Sequence, residues 1–204
     1  MPPFLDPQVL IQAAGLAGIL AIVFSESGLF FGFFLPGDSL LFTAGLFASQ
    51  GHLNIFALTL GCVIAAIAGD SVGYMFGRRV GPVLFSREDS FFFHKRHIDQ
   101  AGAFYAKYGA KTIVLARFVP IVRTFAPIVA GVGKMEYKTF IAYNVIGGTL
   151  WAGLMTVAGF SVGSLVPNAQ KYLHLIVIGI IALSLVPIIF EWFRAKGHRA
   201  EPEL

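Results

Sequence analysis

The sequence predicts an all-α polytopic integral membrane protein, with about four transmembrane helices and two re-entrant helical hairpins in an inverted repeat. Three observations predict it. The chain of 204 residues is 56% hydrophobic and only 13% charged, with mean hydropathy +0.76, whereas an ordinary soluble domain carries about 25% charged residues. Its apolar residues fall into long blocks near 9–50, 53–77, 112–133, 138–164 and 172–193, and a helical span needs about 20 residues. Two of these blocks are broken by proline, glycine and ionisable side chains, and the placement of basic residues does not let every block cross. The 23 glycines and 21 phenylalanines agree, because glycine lets membrane helices approach closely and phenylalanine suits lipid contact. No length is left for a soluble domain of ordinary size, so 1–204 is expected to form a single membrane domain.

Taken in order, 9–27 is expected to be the first span. Its flank MPPFLDPQ has no positively charged start, and the apolar run from Val9 to Leu35 outlasts a signal-peptide core. The next stretch, 29–50, contains FFLPGDSLL (33–41). Pro36-Gly37 breaks a helix there, and Asp38 stands where it can cap the helix that follows; 29–50 therefore reads as re-entrant hairpin 1. Segment 53–77 fits a second span. Between 78 and 111 lie seven basic residues against three acids, Glu88, Asp89 and Asp99, which marks that segment as cytoplasmic. Within it, residues 86–109 mix aromatic and basic residues behind a capping Ser86, as an amphipathic helix on the membrane surface would. Block 112–133 is long enough to span but carries Arg117, Pro120, Arg123 and Pro127. Spans follow at 138–164 and 172–193, and the tail 194–204, with Arg194, Lys196 and Arg199, is expected inside.

Parity decides which blocks cross. With 78–111 and the tail both inside, 53–77 enters from outside, 138–164 leaves and 172–193 returns, so 112–133 enters and leaves by the cytoplasmic face as re-entrant hairpin 2. The same count has 9–27 cross and 29–50 not, with the N-terminus cytoplasmic. Non-helical backbone at membrane depth survives only where protein or a wet cavity covers it, so two such hairpins imply a polar centre. The halves echo each other: Phe34-Leu35-Pro36 precedes Ala44-Gly45 as Phe118-Val119-Pro120 precedes Ala130-Gly131, and 69–81 resembles 147–163, each ending in G-x-x-x-G. Opposite entry of the hairpins makes this an inverted repeat, a plan found in many transporters. The two G-x-x-x-G runs, 77–81 and 159–163, suit either a homo-oligomer face or internal packing.

Glu26, Asp38, Asp70, Arg117 and Arg123 all lie inside apolar blocks. Left unpaired toward lipid they would cost on the order of 10 kcal/mol together, comparable to the stability of a whole domain. The first half supplies only acids and the third block only bases, so the hairpins are expected to pack together with Glu26 and Asp38 facing Arg117 and Arg123. On a straight helix the two arginines would point about 240° apart and the two acids about 120° apart. Breaks at Pro36-Gly37 and Pro120 are what would let them converge. Asp70 reads either as a helix-packing hydrogen-bonder or as part of the site. The lone Cys62 excludes an internal disulfide and reads as a packing residue.

These residues sit in ordered motifs: Glu26; F-L-P-G-D (34–38); G-D-S-V-G-Y-x-x-G-R-x-x-G (69–81); F-Y-A-K-Y-G (104–109); R-F-V-P-I-V-R-T-F-A-P-I-V-A-G (117–131); then Asn144, Gly147 and Trp151. In this the sequence resembles the DedA family of integral membrane proteins, which carry the VTT domain of the SNARE-associated Golgi protein class. The resemblance spans about 20–165 and leaves the tail after 195 without a motif. It implies lipid translocation: bacterial members look like carriers of undecaprenyl phosphate across the cytoplasmic (inner) membrane, others are linked to phosphatidylethanolamine, and eukaryotic relatives are phospholipid scramblases. It also implies that the residues matching Glu26, Asp38, Arg117 and Arg123 are essential and that the proton-motive force supplies energy.

On that footing Arg117 and Arg123 are expected to bind a lipid phosphate, for which guanidinium groups are suited, and Glu26 and Asp38 to pair with them and couple transport to protons. Supporting roles are expected for Asp70, Lys107, Asn144, Pro36, Gly37 and Pro120. The expected partners are undecaprenyl phosphate or a phospholipid, with protons; the alternative is an antiporter of ions or drugs. No cofactor, metal or nucleic acid is expected, since basic residues flanking spans account for the pI near 9.3 and the five histidines form no ligand spacing. Enzymatic activity is not expected. Gly159-Phe160-Ser161-Val162-Gly163 matches a nucleophile-elbow pattern but lies in a span rather than between strand and helix. Ser86-Arg87…His94…Asp99 has gaps too long for a lipid-phosphatase motif.

Overall fold

A computed structural model describes residues 7–29, 37–85 and 109–166. Among them every regular element is a helix. In chain order these are α1 (Pro7–Gly28), α2 (Gly37–Ser49), α3 (Ile55–Phe85), α4 (Thr112–Ala116), α5 (Pro120–Val132) and α6 (Tyr137–Leu165). The predicted span 172–193, most of the amphipathic segment, the tail, Pro36 and Lys107 lie outside the described residues.

Among the described residues, two helices have the length and composition to cross a bilayer, Ile55–Val80 within α3 and Tyr137–Leu165. At 1.5 Å per residue the shorter covers about 39 Å, more than a hydrocarbon core of about 30 Å. Each presents two apolar faces. α6 buries Phe140, Asn144, Gly147, Gly148, Trp151, Ala152, Thr156 and Gly159 and exposes Val145, Ile146, Leu150, Leu154 and Val157. α3 buries Leu58, Cys62, Ala66 and Tyr74 while Phe56, Leu60, Ile64, Val72 and Phe76 face outward. A surface helix in water would carry polar residues on that outer side. Lipid is the solvent that fits it.

α3 and α6 run antiparallel. Thr59 Oγ1 lies 2.9 Å from Thr156 Oγ1, and farther along Asn144 Nδ2 donates to the Ile67 carbonyl at 3.1 Å. Around this crossing the shorter helices are arranged reciprocally. α2 packs mainly on α6, and α5 mainly on α3. Glycine sets both seams, because side chains at these points would strike main chain. A Cβ on Gly45 would meet the Thr156 carbonyl and Phe160 nitrogen, and one on Gly159 the Phe42 carbonyl; a Cβ on Gly131 would meet the Tyr74 carbonyl and Arg78 nitrogen, and one on Gly77 the Ile128 carbonyl. Phe42 and Gly45 thus stand to Thr156, Gly159 and Phe160 as Ile128 and Gly131 stand to Tyr74, Gly77 and Arg78. That exchange, with α3 and α6 antiparallel, is a two-fold relation perpendicular to the long helices. Gly77 and Gly159 of the two G-x-x-x-G runs are therefore spent on internal packing.

The path of the first hairpin differs from the sequence expectation. α1 is interrupted at Gly15, whose φ of +57° is left-handed, leaving a straight stretch of about 21 Å to Gly28. That stretch runs parallel to α3: Leu20 packs on Gly61, whereas Phe24, Ser27 and Gly28 pack on Gly69. α2 then runs back toward Leu53 and Ile55, joined to α3 by a short turn in which Asn54 Oδ1 accepts from the amides of Phe56 and Ala57, both at 3.0 Å. The sequence expectation takes 9–27 as a span and 29–50 as a separate hairpin; here Gly15–Gly28 lies along α3 and α2 runs in the opposite direction, packed mainly on α6. Hydropathy could not separate these cases, because a hairpin limb buried in protein is as apolar as a span in lipid. α2 shows how far this goes, with every residue from Gly37 to Ala48 except Asp38 buried.

Hairpin 2 is α4, an extended Val119 (φ −117°, ψ 107°) and α5, which opens on Pro120. The residue before a proline disfavours helix, so the break falls there. Ile113 near its start and Ala130 near its end both pack against Tyr74 and Phe140, so the chain enters and leaves at one end of the bundle. There Tyr74 OH donates to the Met135 carbonyl and accepts from Arg78 Nη1 at 2.7 Å, tying the α5–α6 turn to α3.

Candidate functional site

The end of α1, the start of α2 and the turn between α4 and α5 meet beside the middles of α3 and α6, and the charges gather there. Each comes from a different local cause. Glu26 lies in the last turns of α1; Asp38 follows the glycine that opens α2. Arg117 occupies the turn after α4, and Arg123 the first turn of α5. Asp70, Asn144 and Trp151 project from the inner faces of α3 and α6.

Arg123 carries two acids. Its Nη2 donates to Glu26 Oε1, and its Nη1 donates to Asp38 Oδ1 at 2.5 Å. The same Asp38 oxygen accepts the indole N–H of Trp151 at 2.7 Å, and the Arg123 guanidinium lies 4.8 Å from the centre of that ring, within cation–π range. Arg117 forms a second group, its Nη2 donating to Asp70 Oδ2 and Asn144 Oδ1. A Cβ on Gly147 would meet the Arg117 side chain at 2.9 Å, so a glycine on α6 makes the space through which the arginine reaches. Gly147 and Trp151 are about one helical turn apart on α6, which sets the two groups next to each other.

Glu26, Asp38 and Arg123 therefore meet, while Arg117 hydrogen-bonds neither Glu26 nor Asp38. Its acid is Asp70, because Arg117 lies before the Val119 break and is turned to the α3–α6 crossing. Asp38 holds Arg123 and Trp151. Gly37 abuts the Glu26 carboxylate, where any Cβ would collide, and Pro120 starts α5. Trp151, only 1% exposed, was visible in the sequence as a motif residue and not as a ligand of the charges. An indole in an apolar run gives no such signal until the hairpin tip is placed beside it.

Three acids and two arginines leave the centre one formal negative charge in excess. Two buried atoms in it have no hydrogen-bond partner among the described residues, Glu26 Oε2 and Arg117 Nε. Buried polar atoms are nearly always satisfied, so an unused acceptor and an unused donor here mark places where something else can bind. Among the described residues no three His, Cys, Asp or Glu side chains come together to hold a metal ion.

A VTT domain model matches residues 35–161. Protein DedA of Escherichia coli (strain K12) is 49% identical over 184 residues, 89% of this chain and 84% of that protein. The chain belongs to the DedA family. An uncharacterized membrane protein of Mycobacterium leprae (strain TN) is 42% identical over 213 residues, covering all of this chain and 95% of the relative. Another, of Mycobacterium tuberculosis (strain ATCC 25618 / H37Rv), is 45% identical over 212 residues, 100% of this chain and 92% of its own length. No solved structure matches this DedA-family chain. Membership in the family and the outward apolar faces of α3 and α6 together make it an integral membrane protein.

Proposed function

We propose that this DedA-family protein moves a lipid phosphate, undecaprenyl phosphate before others, across the bacterial cytoplasmic membrane with proton coupling. The observation that carries the reading is a buried centre in which two arginines are held by exchangeable carboxylates, with one donor and one acceptor left over. Guanidinium groups match phosphate oxygens, and a lipid headgroup entering between the hairpins would compete with Glu26 and Asp38 for Arg123. Arg117 Nε offers it a second donor. Once displaced, a carboxylate in surroundings of low dielectric is favoured to bind a proton, so headgroup binding and proton uptake proceed together. The lipid tail stays in the bilayer, along the outward faces of α3 and α6.

In this reading α3 and α6 cross the membrane and the hairpins are re-entrant from opposite faces, with the end bearing Arg78 and Arg79 cytoplasmic by the positive-inside rule. Gly15 then lies at the opposite end, beside the start of α3, so the cytoplasmic N-terminus expected from the sequence is not carried forward. No covalent step is involved.

Reconstitution into liposomes with labelled lipids, with and without a pH gradient, tests the proposal. Undecaprenyl phosphate is expected to change leaflets faster than in empty liposomes, and faster still with the gradient. Movement of phosphatidylethanolamine alone would replace the substrate. Ion flux without lipid movement would favour an antiporter, and phosphate release from the lipid an enzyme.

A further inference from the structure

Two carboxylates share Arg123, but the structure does not treat them alike. Asp38 Oδ1 accepts from both Arg123 Nη1 and Trp151 Nε1, at 2.5 and 2.7 Å. Glu26 accepts from Arg123 through Oε1, while its Oε2 is buried with no hydrogen-bond partner. When a headgroup takes Arg123 away, Asp38 keeps a side-chain N–H donor on a wall of the site, and Glu26 keeps only the Gly37 main chain beside it. Around them stand Asp70 from α3, Arg117 from the turn after α4 and Arg123 from α5; α6 contributes the uncharged Asn144 and Trp151.

We propose that Trp151 is the positioning residue that divides the labour between the two acids: its N–H keeps Asp38 in place as the resident anion, so that Glu26 alone takes the transported proton, while its ring guides the Arg123 guanidinium between carboxylates and headgroup. The proton comes from water on the side to which the site is open and returns to water on the other. The ring supplies the second half of the role, because Arg123 lies 4.8 Å from its centre and can slide along a π face more readily than it can leave an ion pair for apolar surroundings. Trp151 is one turn from the glycines that admit Arg117, on a helix packed against α2, so its indole is held while the arginine moves.

This inference rests on the transport reading, and its test separates the two. In reconstituted full-length protein Trp151→Phe keeps an aromatic face and removes the N–H. Transport is expected to fall about tenfold, the scale of one hydrogen bond to a charged group. Its dependence on pH should steepen from about one proton to about two, since the division between the two acids is lost. An unchanged steepness and rate would overturn the proposal. A Trp192→Phe background leaves Trp151 as the only indole. Adding undecaprenyl phosphate should shift its emission, as Arg123 leaves the ring; a constant emission while the lipid is still transported would also overturn it. If wild-type protein moves no lipid phosphate, the transport reading falls first and this one with it.

Discussion

At the level of residues, the five charges of the centre separate into a pair that holds the fold and a triad that can open. Arg117 and Asp70 have side chains 4% and 5% exposed, and the arginine also ties Asn144, so this pair pins the hairpin 2 tip at the α3–α6 crossing. Removing one partner of a buried pair costs on the order of 3–5 kcal/mol. Asp70→Asn is therefore expected to lower the melting temperature in detergent markedly. Glu26→Gln leaves Arg123 its Asp38 partner and is expected to lose only about 1–2 kcal/mol, while abolishing the response of transport to a pH gradient. If the two variants melt alike, the division into holding pair and opening triad is wrong. Gly37→Ala should abolish the response to a pH gradient as fully as Glu26→Gln, because any Cβ at 37 runs into the Glu26 carboxylate. Arg123→Lys keeps the charge and loses the planar fork; headgroup binding that survives this change at full strength would remove guanidinium recognition from the mechanism.

At the level of elements, the seams between hairpins and long helices are made of glycine, and their strength is steric. Gly45 and Gly159 let α2 lie against the main chain of α6, and Gly131 and Gly77 do the same for α5 and α3. Overpacking a core costs about 1–3 kcal/mol where side chains can yield, and main chain yields less than that. Gly45→Leu and Gly131→Leu should each destabilise the protein in thermal melts by at least this amount, and by similar amounts, since the two positions are equivalent. A large effect at one and none at the other would break the internal two-fold. Gly153, which has nothing near its missing Cβ, is the control expected to accept alanine without loss. The sequence showed these glycines as a faint repeat. It did not show that each hairpin packs on the long helix of the other half.

Over the whole molecule, reciprocal packing makes hairpin limbs of segments that read as spans. Gly15 and His52 fall at one end of α3, and Arg78 at the other. In a Cys62→Ser background, single cysteines at Gly15 and His52 are expected to react with a membrane-impermeant maleimide from the same side, and one at Arg78 from the opposite side. Labelling of positions 15 and 52 from opposite faces would restore a first span between them and overturn the hairpin path. Much of the centre was legible beforehand, because an ionisable group in an apolar block is costly enough to require a partner. Glu26, Asp38 and Arg123 follow from that cost alone. The partner of Arg117 did not, since opposite sign narrows the choice of acid and only the turn at Val119 selects Asp70.

The sequence by itself determined the solvent, the helical class, the family and the identity of the charges that must be buried. All of these follow from composition, from the cost of charge in lipid and from local breaks at proline and glycine, none of which needs a neighbour in space. Tertiary structure decided which acid holds which arginine, that Trp151 touches both members of one pair, and that Gly15–Gly28 lies along α3 while α2 packs on α6. Those outcomes depend on the direction and depth at which one helix meets another. Apolarity carries no record of direction, and two hairpin tips, distant in the chain, specify their contacts only once each is seated against the other's long helix.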